Sequence, residues 1–95
     1  MPRPTRLSEA DIQTHLSQLD GWAREGDEIV RSFEFRDFNE AFGFICRVAL
    51  LAEAHDHHPE LWNVWNKVRL KFTTHDAGGL TVKDFDIAQA IDARI

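Results

Sequence analysis

Apolar residues recur along this chain with two different periods, and the switches between them mark out its elements. Ile12, Leu16 and Leu19 stand at helical spacing behind Ser8. Ser8 has the chemistry of an N-cap, and Asp11 three positions on completes an approximate capping box, so residues 8–19 predict a first helix. Asp20-Gly21 stops it. From Trp22 the period drops to two. Trp22 opens a short strand, "EGDE" is a turn, and Ile29–Arg36 reads as a second strand. Ile29, Phe33 and Phe35 share one parity, while Glu34 and Arg36 take the other. Arg31 interrupts the apolar side and is expected near its end. The helical period then returns in Phe38, Ala41, Phe42, Ile45, Val48, Ala49 and Ala52, capped by Asp37 or Asn39. This helix runs to about Ala54 or His55, and Pro59 fixes its end because the residue before a proline is pushed out of helical geometry.

Two β-rich runs follow, "ELWNVW" and "VRLKFTTH", joined near Asn66-Lys67. Val68, Leu70 and Phe72 alternate with Arg69, Lys71 and Thr73. "DAGGL" is a loop. Thr81 can cap a last helix over Lys83–Arg94, with Phe85, Ala88, Ile91 and Ile95 facing inward. The order α-β-β-α-β-β-α predicts an α+β fold, a four-stranded antiparallel sheet with helices packed on one face. With 95 residues and no repeat or linker, residues 1–95 form a single domain, and the Pro/Arg-rich residues 1–6 are expected to be a flexible arm.

Charge and composition narrow the function. Eleven basic against sixteen acidic residues give a net charge of -5, which argues against a nucleic-acid footprint. Cys46 is the only cysteine, so no internal bridge can form, which fits a reducing compartment and a cytoplasmic location. No apolar run approaches the ~20 residues of a membrane span. The opening residues lack the apolar core of a signal peptide. A chain this short buries roughly 60–65 % of its unfolded surface, so association with further copies would stabilise it.

The candidate chemistry is concentrated in "EAHDHHPELWNVWNKV", residues 53–68. His55, Asp56, His57 and His58 fall where the long helix must unwind. Unpaired carbonyls at a helix C-terminus favour protonated imidazole, and Glu53, Asp56 and Glu60 add negative charge nearby. Three readings are open for the cluster alone. It can be a solvated helix cap, a metal site, or an acid/base site for which imidazole is suited near neutral pH. The metal reading has the right ligand types but not the spacing of a known zinc motif, and adjacent residues point apart. His75 bears on the choice. It ends the last predicted strand, and that strand end can return beside the helix terminus. Histidines from two elements converging near Trp62 or Trp65 make a pocket for a flat, polar heterocycle. Trp62 itself is expected in the core. Trp22, just after a turn, is expected at an exposed position where a ring can stack on a ligand. Cys46 reads as packing. No phosphate loop is present, and Ser8, Ser17 and Ser32 have no nucleophile motif around them.

The spacing Glu53, His57-His58-Pro59, Trp65, His75 and Asp84 resembles the signature of the pterin-4a-carbinolamine dehydratase family. "NVWNKV", "TTHDAGGLT" and "LDGW" are similar to that family's text as well, so the resemblance spans nearly the whole chain. Trp65 stands where tyrosine is common, and Arg69 where a histidine or another polar residue is found. The resemblance implies the fold predicted above and the dehydration of 4a-hydroxytetrahydropterin to quinonoid dihydropterin, the recycling step after aromatic amino-acid hydroxylation. It implies no metal and no organic cofactor. Carried over by position, His57, His58 and His75 are acid/base and orienting groups, and Glu53 and Asp56 hold them. Pro59 and the run Thr73, Thr74, His75 and Asp76 flank the pterin, and Trp22 closes the pocket. The family likeness also implies a homodimer or homotetramer, with no direct nucleic-acid or membrane partner. The alternative function it offers is a non-catalytic binding module, because relatives lend a helical surface to a homeodomain transcription factor as dimerisation cofactors.

Overall fold

Helices start where a side chain can accept from their first free N–H groups. In a computed structural model, which describes residues 4–95, Ser8 Oγ accepts from Asp11 N–H (3.2 Å) ahead of α1 (Glu9–Ser17). Asp37 Oδ1 accepts from Glu40 N–H (2.8 Å) ahead of α2 (Phe38–His55), and Thr81 caps α3 (Val82–Asp92). Between them run β1 (Ala23–Glu25), β2 (Glu28–Glu34), β3 (Glu60–Val64) and β4 (Lys67–Phe72). The strands form one antiparallel sheet in the order β1-β2-β4-β3, so the second hairpin enters the sheet through β4.

Register sorts the strand residues onto two faces. Ile29 lies opposite Phe72, and Phe33 opposite Val68. These four and Leu70 are buried in one cluster with Ile12 of α1, Phe44 and Val48 of α2, and Phe85, Ile87 and Ile91 of α3. Burying a side chain of this size contributes about 1.5–3 kcal/mol. The other face carries Ser32, Glu34, Lys67 and Arg69, all exposed, and among the described residues no helix lies over it. The element order and the one-sided packing therefore agree with the pattern read from the sequence.

Several details differ. Trp62 pairs with Arg69 on the helix-free face rather than in the core, and the Arg69 guanidinium lies 5.1 Å from its ring centre. On α2, Phe38 and Phe42 face outward, about half exposed, while Phe44, absent from the predicted stripe, is buried. Helix α3 ends at Asp92, which leaves Ile95 exposed. The sheet stops at Phe72 instead of continuing to His75. Beyond it, Thr74 and Gly79 exchange backbone hydrogen bonds (3.2 and 3.3 Å), and His75–Ala77 forms a 3-10 turn. Residues 1–3 of the expected arm lie outside the described residues. Its remainder is attached: Arg6 Nη2 is 3.2 Å from Asp27 Oδ1, and the adjoining Leu7 N–H donates to Leu80 O (2.8 Å).

Candidate functional site

The C-terminus of α2 determines where its histidines point. Asp56 adopts a left-handed conformation (φ 50). Asp56 N–H then donates to Glu53 O (3.2 Å) and His57 N–H to Ala52 O (3.0 Å), the paired bonds of a Schellman motif. An aspartate tolerates this conformation better than most side chains. The reversal sends His57 inward and leaves His58 outside. His57 is 8 % exposed and stacks on Phe72 with ring centres 5.8 Å apart. His58 Nε2 lies 2.6 Å from Glu53 Oε1, one turn back on α2, and both side chains are mainly exposed.

Beneath His57 lies a fully buried carboxylate. Asp84 Oδ1 is 2.5 Å from His57 Nε2. Its other oxygen accepts from Thr74 O–H (2.9 Å) and Thr81 N–H (3.0 Å). Because the Thr74 hydroxyl donates to Asp84, the 2.8 Å contact between the two threonine hydroxyls has Thr81 as donor. Lys83 N–H in turn donates to Thr81 Oγ1 (3.2 Å), which closes a reciprocal capping box at the start of α3. Asp84 thus receives three donors without solvent, as a buried charge requires. With Nε2–H directed at Asp84, Nδ1 is the ring nitrogen of His57 that this contact leaves free.

Above these groups opens a cleft of about 420 Å³, lined by Pro4, Asp56, His57, His58, Thr73, Thr74, His75, Asp76 and Lys83. The Thr73 hydroxyl donates to Asp27 O in the first hairpin turn (2.6 Å), and Lys83 Nζ donates to Asp56 O (3.1 Å), tying α3 to the end of α2. Of the residues singled out in the sequence, the cleft gathers His57, His58, His75, Asp56, Thr73, Thr74 and Asp76. Glu53 stands outside the lining, behind His58. Pro59 is not a lining residue. Trp22 is a correction: it is 7 % exposed, packed against Phe33 and Phe72, and its indole N–H donates to Asp92 (2.9 Å). It supports Phe72, which supports His57, and does not face the cleft. Trp62 and Trp65 are also absent from the lining, because their strand and turn project them to solvent. Sequence reasoning missed Lys83 and Pro4, for which no pattern pointed to a cleft. It placed Asp84 in a spacing without giving it a role, although an acid three residues after a capping threonine already signals a capping box.

The cleft brings three histidines together beside a buried carboxylate, on an antiparallel sheet backed by helices. Residues 5–94 match the family model for pterin 4 alpha carbinolamine dehydratase, and the chain belongs to that family. A relative named for the same dehydratase from Rhodopseudomonas palustris (strain BisB18) is 57% identical over 90 residues, covering 93% of this chain and 89% of that one. Another from Roseiflexus sp. (strain RS-1) is 53% identical over 88 residues, covering 93% and 95%. The crystal structure of a transcriptional coactivator/pterin dehydratase from Brucella melitensis superposes with a TM-score of 0.90 at 42% identity, covering 94% of this chain and 97% of that one. Among the described residues, no helix is long and apolar enough to cross a membrane.

Proposed function

We propose that this protein catalyses the loss of water from 4a-hydroxytetrahydropterin to give quinonoid dihydropterin, in the cytoplasmic recycling of tetrahydropterin. The observation that carries this reading is the convergence of His57, His58 and His75 on one cleft, with His57 held by buried Asp84. The cleft's volume falls in the range of small-molecule sites.

In the reaction, the C4a–O bond breaks and the hydroxyl leaves as water after receiving a proton. The proton on the neighbouring ring nitrogen departs as the C=N bond forms, so one proton enters and one leaves. Imidazole does both tasks near neutral pH. His57, its tautomer set by Asp84, takes the ring-nitrogen proton at Nδ1. His75, from the turn after β4, gives a proton to the departing hydroxyl. His58, held by Glu53, orients the ring. Thr73, Thr74, Asp56 and Asp76 hydrogen-bond its polar edge, and Pro59 keeps the histidine pair in place. Positioned proton transfer of this kind contributes ~10²–10⁴-fold. No metal or organic cofactor takes part.

The working form is a homodimer or homotetramer. Exposed Phe38, Phe42 and Leu50 on the outer side of α2 support such an assembly, as does the open edge of β3. That same apolar surface, with the coactivator named for the Brucella melitensis protein, supports the second reading, a dimerisation module without catalysis.

Stopped-flow dehydration with wild type and His75→Ala is the test. Wild type accelerates water loss over the spontaneous rate, before and after exhaustive chelation, and His75→Ala largely does not. A wild-type rate equal to the spontaneous one leaves only the binding module.

A further inference from the structure

Arg6 and Leu7, ahead of Ser8, are fixed at three points. Leu7 packs against the core and donates its N–H to Leu80 O (2.8 Å). The Arg6 guanidinium reaches Asp27 (3.2 Å). The Arg6 side chain also crosses so close to Gly79 that a Cβ there would stand 2.7 Å from Nε. Both places it touches are tied to the cleft. Asp27 O accepts the Thr73 hydroxyl (2.6 Å), and Gly79 is bridged to Thr74 across the turn that carries His75. Two residues further out, Pro4 is part of the cleft lining itself.

We propose that Pro4–Leu7 is a wall of the substrate site, in which Pro4 touches the bound heterocycle and Arg6 is a positioning residue. The proposal rests on the pterin reading above. Proline suits the contact, since it offers a rigid apolar ring and no N–H needing a partner. Arg6 lies across the first hairpin turn and the His75 turn, holding both beside Pro4. Its ion pair is more than half exposed, and such pairs contribute little to global stability. An effect on ligand binding at unchanged melting temperature is therefore the mark of a wall, and a merely structural pair would not produce it.

The test combines a charge swap with two readouts. Arg6→Asp, Asp27→Arg, the double variant and Pro4→Gly are titrated calorimetrically with 7,8-dihydrobiopterin as a non-reacting probe, and KM and kcat are measured for dehydration. Each single variant weakens probe binding and raises KM about fivefold, with kcat within about twofold and melting unchanged. The double variant, its ion pair rebuilt with opposite polarity, recovers both affinity and KM. Single variants with wild-type affinity and KM, or a double variant no better than they are, overturn the wall while leaving the dehydratase reading intact. A wild type that neither binds the probe nor speeds dehydration overturns both, so the two failures are told apart.

Discussion

His57 Nε2 lies 2.5 Å from Asp84 Oδ1 across 27 positions of sequence, and both groups are buried. The contact joins the end of α2 to the start of α3 under the floor of the cleft. It fixes the tautomer of the imidazole, and it makes the carboxylate depend on that imidazole for one of three donors.

Because of this dependence, the histidines differ in what their loss does to the fold. His57→Ala removes a donor from a buried carboxylate and costs about 1–3 kcal/mol of stability. His75 is exposed, and His75→Ala leaves the melting temperature close to wild type. Both variants lose about 10²-fold or more in dehydration rate. Thermal melts beside stopped-flow rates check this; equal melting temperatures for the two would contradict it.

Asp84→Asn keeps the size of the side chain and removes its charge. The amide cannot accept all three donors as the carboxylate does, so His57 loses its fixed tautomer and α3 part of its cap. The expected outcome is a fall in kcat of at least about tenfold with a smaller change in KM, and a stability loss of about 1–3 kcal/mol. Full kcat in a folded Asp84→Asn protein would remove Asp84 from the mechanism.

The left-handed turn at Asp56 predicts a contrast between two replacements. Asp56→Gly retains the backbone geometry at no steric cost, whereas a β-branched residue at φ 50 is strained. Asp56→Val is destabilised by at least about 1–2 kcal/mol relative to Asp56→Gly. Denaturant midpoints for the pair give the comparison.

A surface pair outside the cleft lining supplies a pH signature. Arg24 grips Glu9 in the first turn of α1 with two hydrogen bonds, one of 3.0 Å. The hydrogen bond from Arg24 holds the Glu9 carboxyl below its ordinary range, with the charge attraction of the same guanidinium adding to it. A carboxyl lowered on folding contributes stability above its unfolded value and loses it as pH falls through the folded one. Glu9→Gln is therefore slightly less stable than wild type at pH 7, and the difference closes as the pH is lowered beneath the usual glutamate range. A gap that stays constant down to strongly acidic pH would show that the charge is not its source.

Much of this was legible in the sequence, for reasons tied to particular residues. Ser8, Asp37 and Thr81 are caps by their own side-chain chemistry, and all three start helices. The alternation through Val68, Leu70 and Phe72 needs no tertiary information to set its face. The α2 stripe was harder, because this helix is apolar on two sides. Periodicity alone cannot tell the side that meets the sheet, with Phe44, from the side that displays Phe38 and Phe42. Trp62 misled for a related reason: a tryptophan on a strand is large enough to suggest the core, while register puts it beside Arg69. The histidine pair and His75 were visible as a spacing. What joins them was not: Asp84 stood in that spacing without a role, and Lys83 and Pro4 reach the cleft only through packing of α3 and the N-terminal segment.

The carboxylate that orients His57 also closes the cap of α3, and this has a consequence for damaged molecules. Heat, tension or a protease that frays the start of the last helix takes away the imidazole's anchor at the same moment. Under the proposed reaction, a copy with that segment undone is chemically mute as well as loosened. Turnover then counts only chains whose last helix has docked, and the assay for water loss is also a gauge of completed folding.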